Sequence, residues 1–268
     1  MTDVIRRLAT VWSAANSFFG PLSKSPLKYL PQGSPRILIV GVYMSEKRNL
    51  IEHLVSTIST SVHCVTTQRW ISIGSVSKCD FVSDVTANEV HVRTPKFSLI
   101  NRLITQDDIE FYDFIMVCDD DVTLCDDFID RFIGWQQHCD LSLAQPARSW
   151  NSFVDHTFVR RSLWSKARET RFVEIGPIFC MSQAMARLLV PFDQSSAMGW
   201  GYDLVWPVTA KKHGLKLGIV DDASIEHTIR PRGALYQTGT ELESMAAMLS
   251  QREHLQTREA FVVLNRFR

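Results

Sequence analysis

The chain contains no apolar run that approaches the roughly 20 residues needed to cross a bilayer as a helix. It also lacks any C-x-x-C pair. Cys64, Cys79, Cys118, Cys125, Cys139 and Cys180 are scattered singly, a pattern unlike a zinc knuckle or a small disulfide scaffold. With no secretory signal visible, they are expected to be reduced thiols in a cytoplasmic protein. An excess of one charge is missing too. Lysine plus arginine number 29 and aspartate plus glutamate 29, so no general positive field is available and no nucleic-acid partner is expected. No internal repeat or low-complexity tract appears. What is present, 268 residues with 45% hydrophobic and 22% charged, suits one large soluble domain with a sizeable core.

Near the start, Val4, Ile5, Leu8, Val11, Trp12, Ala15, Phe18 and Phe19 follow a helical stripe, with Arg6 and Arg7 at its head. A helix there either docks on its own domain or, through residues 4–19, makes a peripheral contact with a membrane surface. Pro21, Pro26, Pro31, Gly33 and Pro35 then mark a linker. The resulting division is residues 1–35 as amphipathic helix and linker, 36–235 as the main domain, and 236–268 as a C-terminal helix packing on it.

Within the main domain, Arg36 to Val42 (RILIVGV) has the continuous apolar, β-branched character of a buried parallel strand. A helix is predicted over Asn49 to Thr60, strands over His63 to Thr66 and Glu89 to Arg93, and a helix over Phe97 to Ile104. Phe114 to Cys118 (FIMVC) is a strand running into Asp119, Asp120 and Asp121. A helix from Asp127 to His138 follows, capped by Asp126 or Asp127, and then a strand from Leu141 to Gln145. Phe172 to Phe179 is a strand broken by Gly176 and Pro177; helices are expected over Ser182 to Leu189, Asp203 to His213 and Glu241 to Glu259, and a strand over Leu217 to Asp221. Arg160 to Arg171 is basic, and is either a solvated loop or a lid whose cations meet phosphate. Alternating strands and helices predict an α/β fold with a mainly parallel central sheet, flanked by helices, whose ligands sit at the carboxyl ends of the strands.

The acidic cluster stands at such an end. In an extended segment alternate side chains point the same way, so Asp119 and Asp121 are expected to face one side and Asp120 the other. Two converging carboxylates repel unless a cation lies between them, and a hard divalent ion, Mn²⁺ or Mg²⁺, prefers oxygen ligands and leaves positions open for phosphate. The competing reading is a solvated turn ahead of the next helix. Cys118, on the buried strand, is expected to pack. His227, after the last predicted strand, offers an imidazole that could complete a Mn²⁺ site. In Gly199-Trp200-Gly201-Tyr202-Asp203, glycines allow close backbone approach and the indole offers a flat face to a sugar ring. Asp203 is either the N-cap of the next helix or a general base.

Together, YDFIMVCDDDV (Tyr112 to Val122), SLAQPA (Ser142 to Ala147), FVEIGPIFCMS (Phe172 to Ser182), GWGYDLVWP (Gly199 to Pro207) and GIVDDASIEHT (Gly218 to Thr228) resemble the domain-of-unknown-function 707 family. The resemblance covers roughly residues 36 to 233 and implies a GT-A-like, Rossmann-like fold and glycosyltransferase-like activity. It implies that Asp119 and Asp121 match the family's D-x-D and that His227 matches its late histidine. GWGYD is similar to the G-W-G-x-[ED]-D segment of inverting galactosyltransferases, with one acid, Asp203, where those enzymes carry two.

The expected activity is therefore metal-dependent, inverting transfer from a UDP- or GDP-linked sugar to a hydroxyl of a glycan or lipid-linked acceptor, in surface polysaccharide or glycan synthesis. Gly41, Val42, Arg48, Asp119 and Asp120 are expected to border the donor, and Asp119, Asp121 and His227 the metal. Asp203 is expected to act as base, and Glu174, Gly199, Trp200 and Gly201 to meet acceptor or sugar. Two rivals stand beside this: a metal-dependent phosphoryl transferase and a non-catalytic nucleotide- or sugar-binding module.

Overall fold

A computed structural model describes residues 29–92, 94–196, 198–230 and 238–268. The amphipathic stripe predicted over residues 4–19 lies outside the described residues. In chain order the elements are β1 (Arg36–Met44), α1 (Ile51–Ile58), β2 (Val65–Ile73), α2 (Asp80–Ser83), β3 (Thr86–Val90), α3 (Lys96–Asn101), α4 (Gln106–Phe111), β4 (Phe114–Asp119) and β5 (Val122–Thr123). There follow α5 (Phe128–His138), β6 (Leu143–Arg148), β7 (Ala167–Thr170), β8 (Ile178–Ser182), α6 (Gln183–Leu189), α7 (Tyr202–Lys212), β9 (Leu217–His227), α8 (Thr238–Ser250), α9 (Thr257–Ala260) and β10 (Val263–Phe267).

The strands form one sheet in the order β10-β7-β9-β6-β8-β4-β1-β2-β3, with β5 added against the end of β9. β3, β2, β1 and β4 run parallel. Antiparallel β8 joins β4 to β6, which is parallel to β9. The expected α/β architecture, a central sheet flanked by helices, is what the chain adopts.

The continuous apolar reading of β1 follows from burial on both faces. Ile37 and Ile39 enter one core cluster with Leu54, Val55 and Ile58 of α1 and Phe128 and Phe132 of α5. Leu38 and Val40 enter the other, with Leu99 and Ile100 of α3 and Trp206 of α7. β4 splits in the same way, with Met116 and Cys118 on the first side and Ile115 and Val117 on the second. Each such side chain stabilises the fold by about 1.5–3 kcal/mol, so a charged residue at Val40 or Met116 would disrupt a packed layer. Cys118 packs, as expected from its strand.

Several expectations are corrected. The second strand is β2, later and longer than His63 to Thr66, because its register follows β1 from Arg36↔Val65 to Met44↔Ile73. Pairing with a buried neighbour sets its length, which local periodicity does not report. The third strand likewise ends at Val90. Asp127 does stand at the N-cap of α5, but in the left-handed conformation with no side-chain cap bond. The C-terminal helix stops at Ser250, a short α9 follows, and Val263–Phe267 becomes β10 on the edge of β7. An open strand edge offers hydrogen bonds that a helical reading of the tail does not anticipate. The basic stretch 160–171 divides. Residues 161–166 are irregular chain with Arg161, Leu163 and Trp164 exposed, as the loop reading expects. Ala167–Thr170 is instead β7, where Arg168 Nε donates to Asp221 Oδ2 at 2.9 Å, and Lys166 Nζ donates to Asp222 Oδ1 at 2.6 Å.

Candidate functional site

At the carboxyl ends of β1, β4, β6 and β9 lies a cleft of about 920 Å³. Its walls include Val42, the three aspartates 119–121, Arg148, Glu174, Trp200, Asp203, His227 and Arg230.

The strand β4 delivers Asp119 to the sheet edge and the chain then turns, so the alternation of an extended segment stops. Asp119 lines the cleft with Asp121 but has a different partner: its Oδ1 accepts from Lys96 Nζ at 2.6 Å. Asp120 is buried and accepts from the Met44 N–H at 2.7 Å, tying the turn to the end of β1. Burial pushes the Asp120 carboxyl up to about 6, against the opposing charge of Arg230. Arg230 pairs with Asp120 through Nη2 and donates from Nε to Asp121 Oδ2 at 3.0 Å.

His227 reaches Asp121 through the pairing of β5 with β9, in which Val122 stands opposite His227. Its Nε2 lies 3.2 Å from Asp121 Oδ2. Burial acts to raise the Asp121 pKa, but the hydrogen bonds from His227 and Arg230 and the charge of Arg230 outweigh it and hold the carboxyl below its usual range. Behind His227, the buried Arg148 donates from Nη1 to His227 Nδ1 at 3.1 Å, and from Nη2 to Glu174 Oε2 and the Gly176 carbonyl, both at 2.7 Å. Burial lowers the Arg148 pKa, opposed by the charge of Glu174.

Asp121 and His227, one carboxylate and one imidazole on a cleft wall, are donor types that suit Mn²⁺ where oxygens of another molecule complete the shell; here Asp121 Oδ2 is met by Arg230 Nε. The third expected ligand, Asp119, is turned to Lys96. Among the described residues no group of three or more His, Cys, Asp and Glu is arranged to hold a metal.

On the same cleft, Glu174 Oε1 accepts from His156 Nδ1 at 3.1 Å. That hydrogen bond raises the His156 pKa against the effect of burial, with the charges of Glu174 and Asp203 acting in the same direction. Asp203, half-buried in the first turn of α7, is pushed up to about 6 by burial; His156 opposes the shift and Glu174 adds to it. A carboxyl with that proton affinity is ionised at neutral pH yet basic enough to take a proton from a hydroxyl.

The remaining candidates divide by position. Val42, Trp200 and Gly201 line the cleft. Gly199 does not; it adopts φ +83° and a Cβ there would lie 1.8 Å from the Phe97 ring. Gly41 is enclosed between the Trp70 ring and the Cys118 carbonyl. Arg48 is exposed and touches the site through its carbonyl, which accepts from Arg230 Nη1 at 3.5 Å. The sequence reading missed Lys96, Arg148, His156 and Arg230. Arg148 carried a usable signal, an arginine directly at the carboxyl end of an apolar strand. His156 and Arg230 lie on irregular chain and carried none.

No protein-family model and no curated protein sequence matches the chain. Solved structures do. A mannosyltransferase from Pyrobaculum calidifontis in complex with GDP-Man and Mn²⁺ aligns with a TM-score of 0.54 at 13% identity, over 95% of this chain and 75% of that one. GalNAc-T7 with UDP, GalNAc and Mn²⁺ aligns at 0.54 and 9% identity, over 86% of this chain and 52% of its own length. TarS residues 1–349 from S. aureus in complex with UDP-GlcNAc aligns at 0.53 and 9% identity, over 84% and 69%. The chain therefore has the GT-A type of fold.

Proposed function

We propose that this chain is a glycosyltransferase that takes a UDP- or GDP-linked sugar and a divalent cation into the cleft and inverts the anomeric carbon on transfer to a hydroxyl. The observation that carries this reading is the joining of Asp121 to His227, 3.2 Å apart, on a cleft that also holds Asp203. The solved structures of the same fold that were crystallised with GDP-Man, UDP or UDP-GlcNAc lend it support.

Asp121 and His227 would hold Mn²⁺ or Mg²⁺, which when bound neutralises charge on a diphosphate leaving group as a Lewis acid. Val42 and the end of β1 would flank the nucleotide, with Asp119 and Asp120 on the adjoining turn. Lys96 and Arg230 bring positive charge to the same wall, where a diphosphate gains from it. Trp200 lines the cleft but is only 8% exposed, so it would offer a sugar ring an apolar edge. Asp203 accepts the proton of the attacking hydroxyl, and Glu174, fixed by Arg148 and His156, orients hydroxyls beside it. The acceptor is a glycan or a lipid-linked hydroxyl.

Titration calorimetry with UDP and GDP, each with and without Mn²⁺, tests the donor site. Metal-dependent binding of one nucleotide is expected, and binding of neither overturns the reading. A subsequent screen of nucleotide sugars, with the product's anomeric configuration read by NMR, tests inversion; a product with the donor's configuration rules it out.

A further inference from the structure

Two neighbouring loops carry large apolar side chains that the core does not use. Trp150 is 48% exposed, Phe153 39%, Leu163 61% and Trp164 78%. The loops are held together as one platform. The Arg161 N–H donates to the Arg148 carbonyl at 2.8 Å, and Arg160 Nη1 donates to the carbonyls of Ser149 at 3.2 Å and Trp150 at 2.6 Å. The Arg160 guanidinium also lies 5.8 Å from the centroid of the Trp150 ring. Fixed backbone under exposed indoles is not what a solvated connection needs, since exposing them costs free energy that polar residues would not.

Positive charge predominates on the platform. Arg160 and Arg161 interleave with the aromatic residues, Lys166 is paired with Asp222, and Asp155 is the one acidic residue between positions 149 and 166. The nearby carboxylates of Asp221 and Asp222 are turned inward to Arg168 and Lys166. Indoles beside guanidinium groups suit the headgroup level of a bilayer, where the ring buries its apolar body and the cations meet lipid phosphate. Leu163, next to Trp164, fits acyl chains and has no use in stacking on a sugar.

The platform adjoins the cleft. Phe153 lines it, donates its N–H to the His227 carbonyl at 2.8 Å, and sets its ring 6.2 Å from the His227 imidazole. We propose that the surface formed by Trp150, Phe153, Leu163 and Trp164 with Arg160 and Arg161 docks the protein on an anionic membrane, with the cleft mouth next to the lipid headgroups. The inference stands apart from the transfer reading, because vesicle binding is measured without donor or acceptor.

The test uses the full chain and sedimentation with phosphatidylcholine vesicles, with and without phosphatidylglycerol. The wild-type protein is expected to partition onto the anionic vesicles, less so at high salt. The variant carrying Trp150→Ser, Leu163→Ser and Trp164→Ser should partition at least about tenfold more weakly, and Arg161→Gln should reduce binding to anionic vesicles selectively. Circular dichroism checks that the variants, all at exposed positions, remain folded. Absence of wild-type binding, or equal binding by the triple variant, overturns the proposal. So does a wild-type dimer in light scattering that the triple variant converts to monomer, since a second copy would then cover the platform. Binding of soluble glycan lost in the same variant, without vesicle binding, assigns the surface to sugar instead.

Discussion

Arg148 donates from Nη1 to Nδ1 of His227 at 3.1 Å. A guanidinium has no acceptor, so this contact places the imidazole proton on Nε2, facing Asp121 Oδ2 at 3.2 Å. The buried arginine thus selects the tautomer of the histidine, and the histidine presents a donor to the aspartate. Were Nε2 to hold a divalent ion, the imidazole proton would have to lie on Nδ1, the nitrogen that Arg148 now meets.

Arg148→Met should destabilise the fold by about 3 kcal/mol, because Glu174 is left buried without its guanidinium partner. Urea denaturation followed by circular dichroism measures this. Arg148→Lys, which keeps a charge but loses the forked geometry, should recover part of the loss.

Asp121→Asn and His227→Asn should each weaken Mn²⁺-dependent nucleotide binding by about a hundredfold. Asp121→Asn should also lower the unfolding midpoint, because it removes the buried carboxylate that Arg230 and His227 meet. Calorimetry gives the affinities. If both variants bind nucleotide plus Mn²⁺ as tightly as the wild type, Asp121 and His227 do not hold the ion.

Asp203 titrates at about 6 in the folded chain against an ordinary value of 3.8, so the folded state holds this proton more tightly than the unfolded one. Its favourable contribution is present at low pH and is lost as pH rises through about 6, leaving a cost of up to about 3 kcal/mol at neutral pH. Asp203→Asn should therefore be more stable than the wild type at neutral pH and no more stable near pH 4. The same variant should lose transfer activity, whose wild-type profile should fall on the acid side of about pH 6. Asp120 also titrates at about 6, and the difference between the two proteins isolates Asp203 from it.

Gly199→Ala should lower stability by at least about 2 kcal/mol, because it places a side chain at φ +83° with its Cβ 1.8 Å from the Phe97 ring. A thermal melt reads it directly. No loss would mean that this turn can move away from α3.

Much of the scaffold was legible because it rests on local rules. The run Ile37 to Val40 is apolar on both faces, α1 repeats its buried residues at helical spacing, and Ser182 caps α6 by accepting from the Met185 N–H at 3.4 Å. The D-D-D after an apolar strand marked the carboxyl edge of the sheet where the cleft lies. Less legible were the lengths of β2 and β3 and the conversion of residues 263–267 to β10, since a strand's extent is decided by the partner beside it.

Periodicity along the chain marked the buried faces of β1 and α1, the position of the acidic turn, and the glycine-flanked tryptophan ahead of a helix. Which carboxylate meets which cation was settled by the packing of distant elements. Asp119 went to Lys96, Asp120 and Asp121 to Arg230, and His227 was set between Asp121 and Arg148. The physical reason is that side-chain periodicity within an element follows from covalent geometry. Ion pairing depends instead on distances between elements far apart in the chain, and these are fixed when strands such as β5 and β9 take their register.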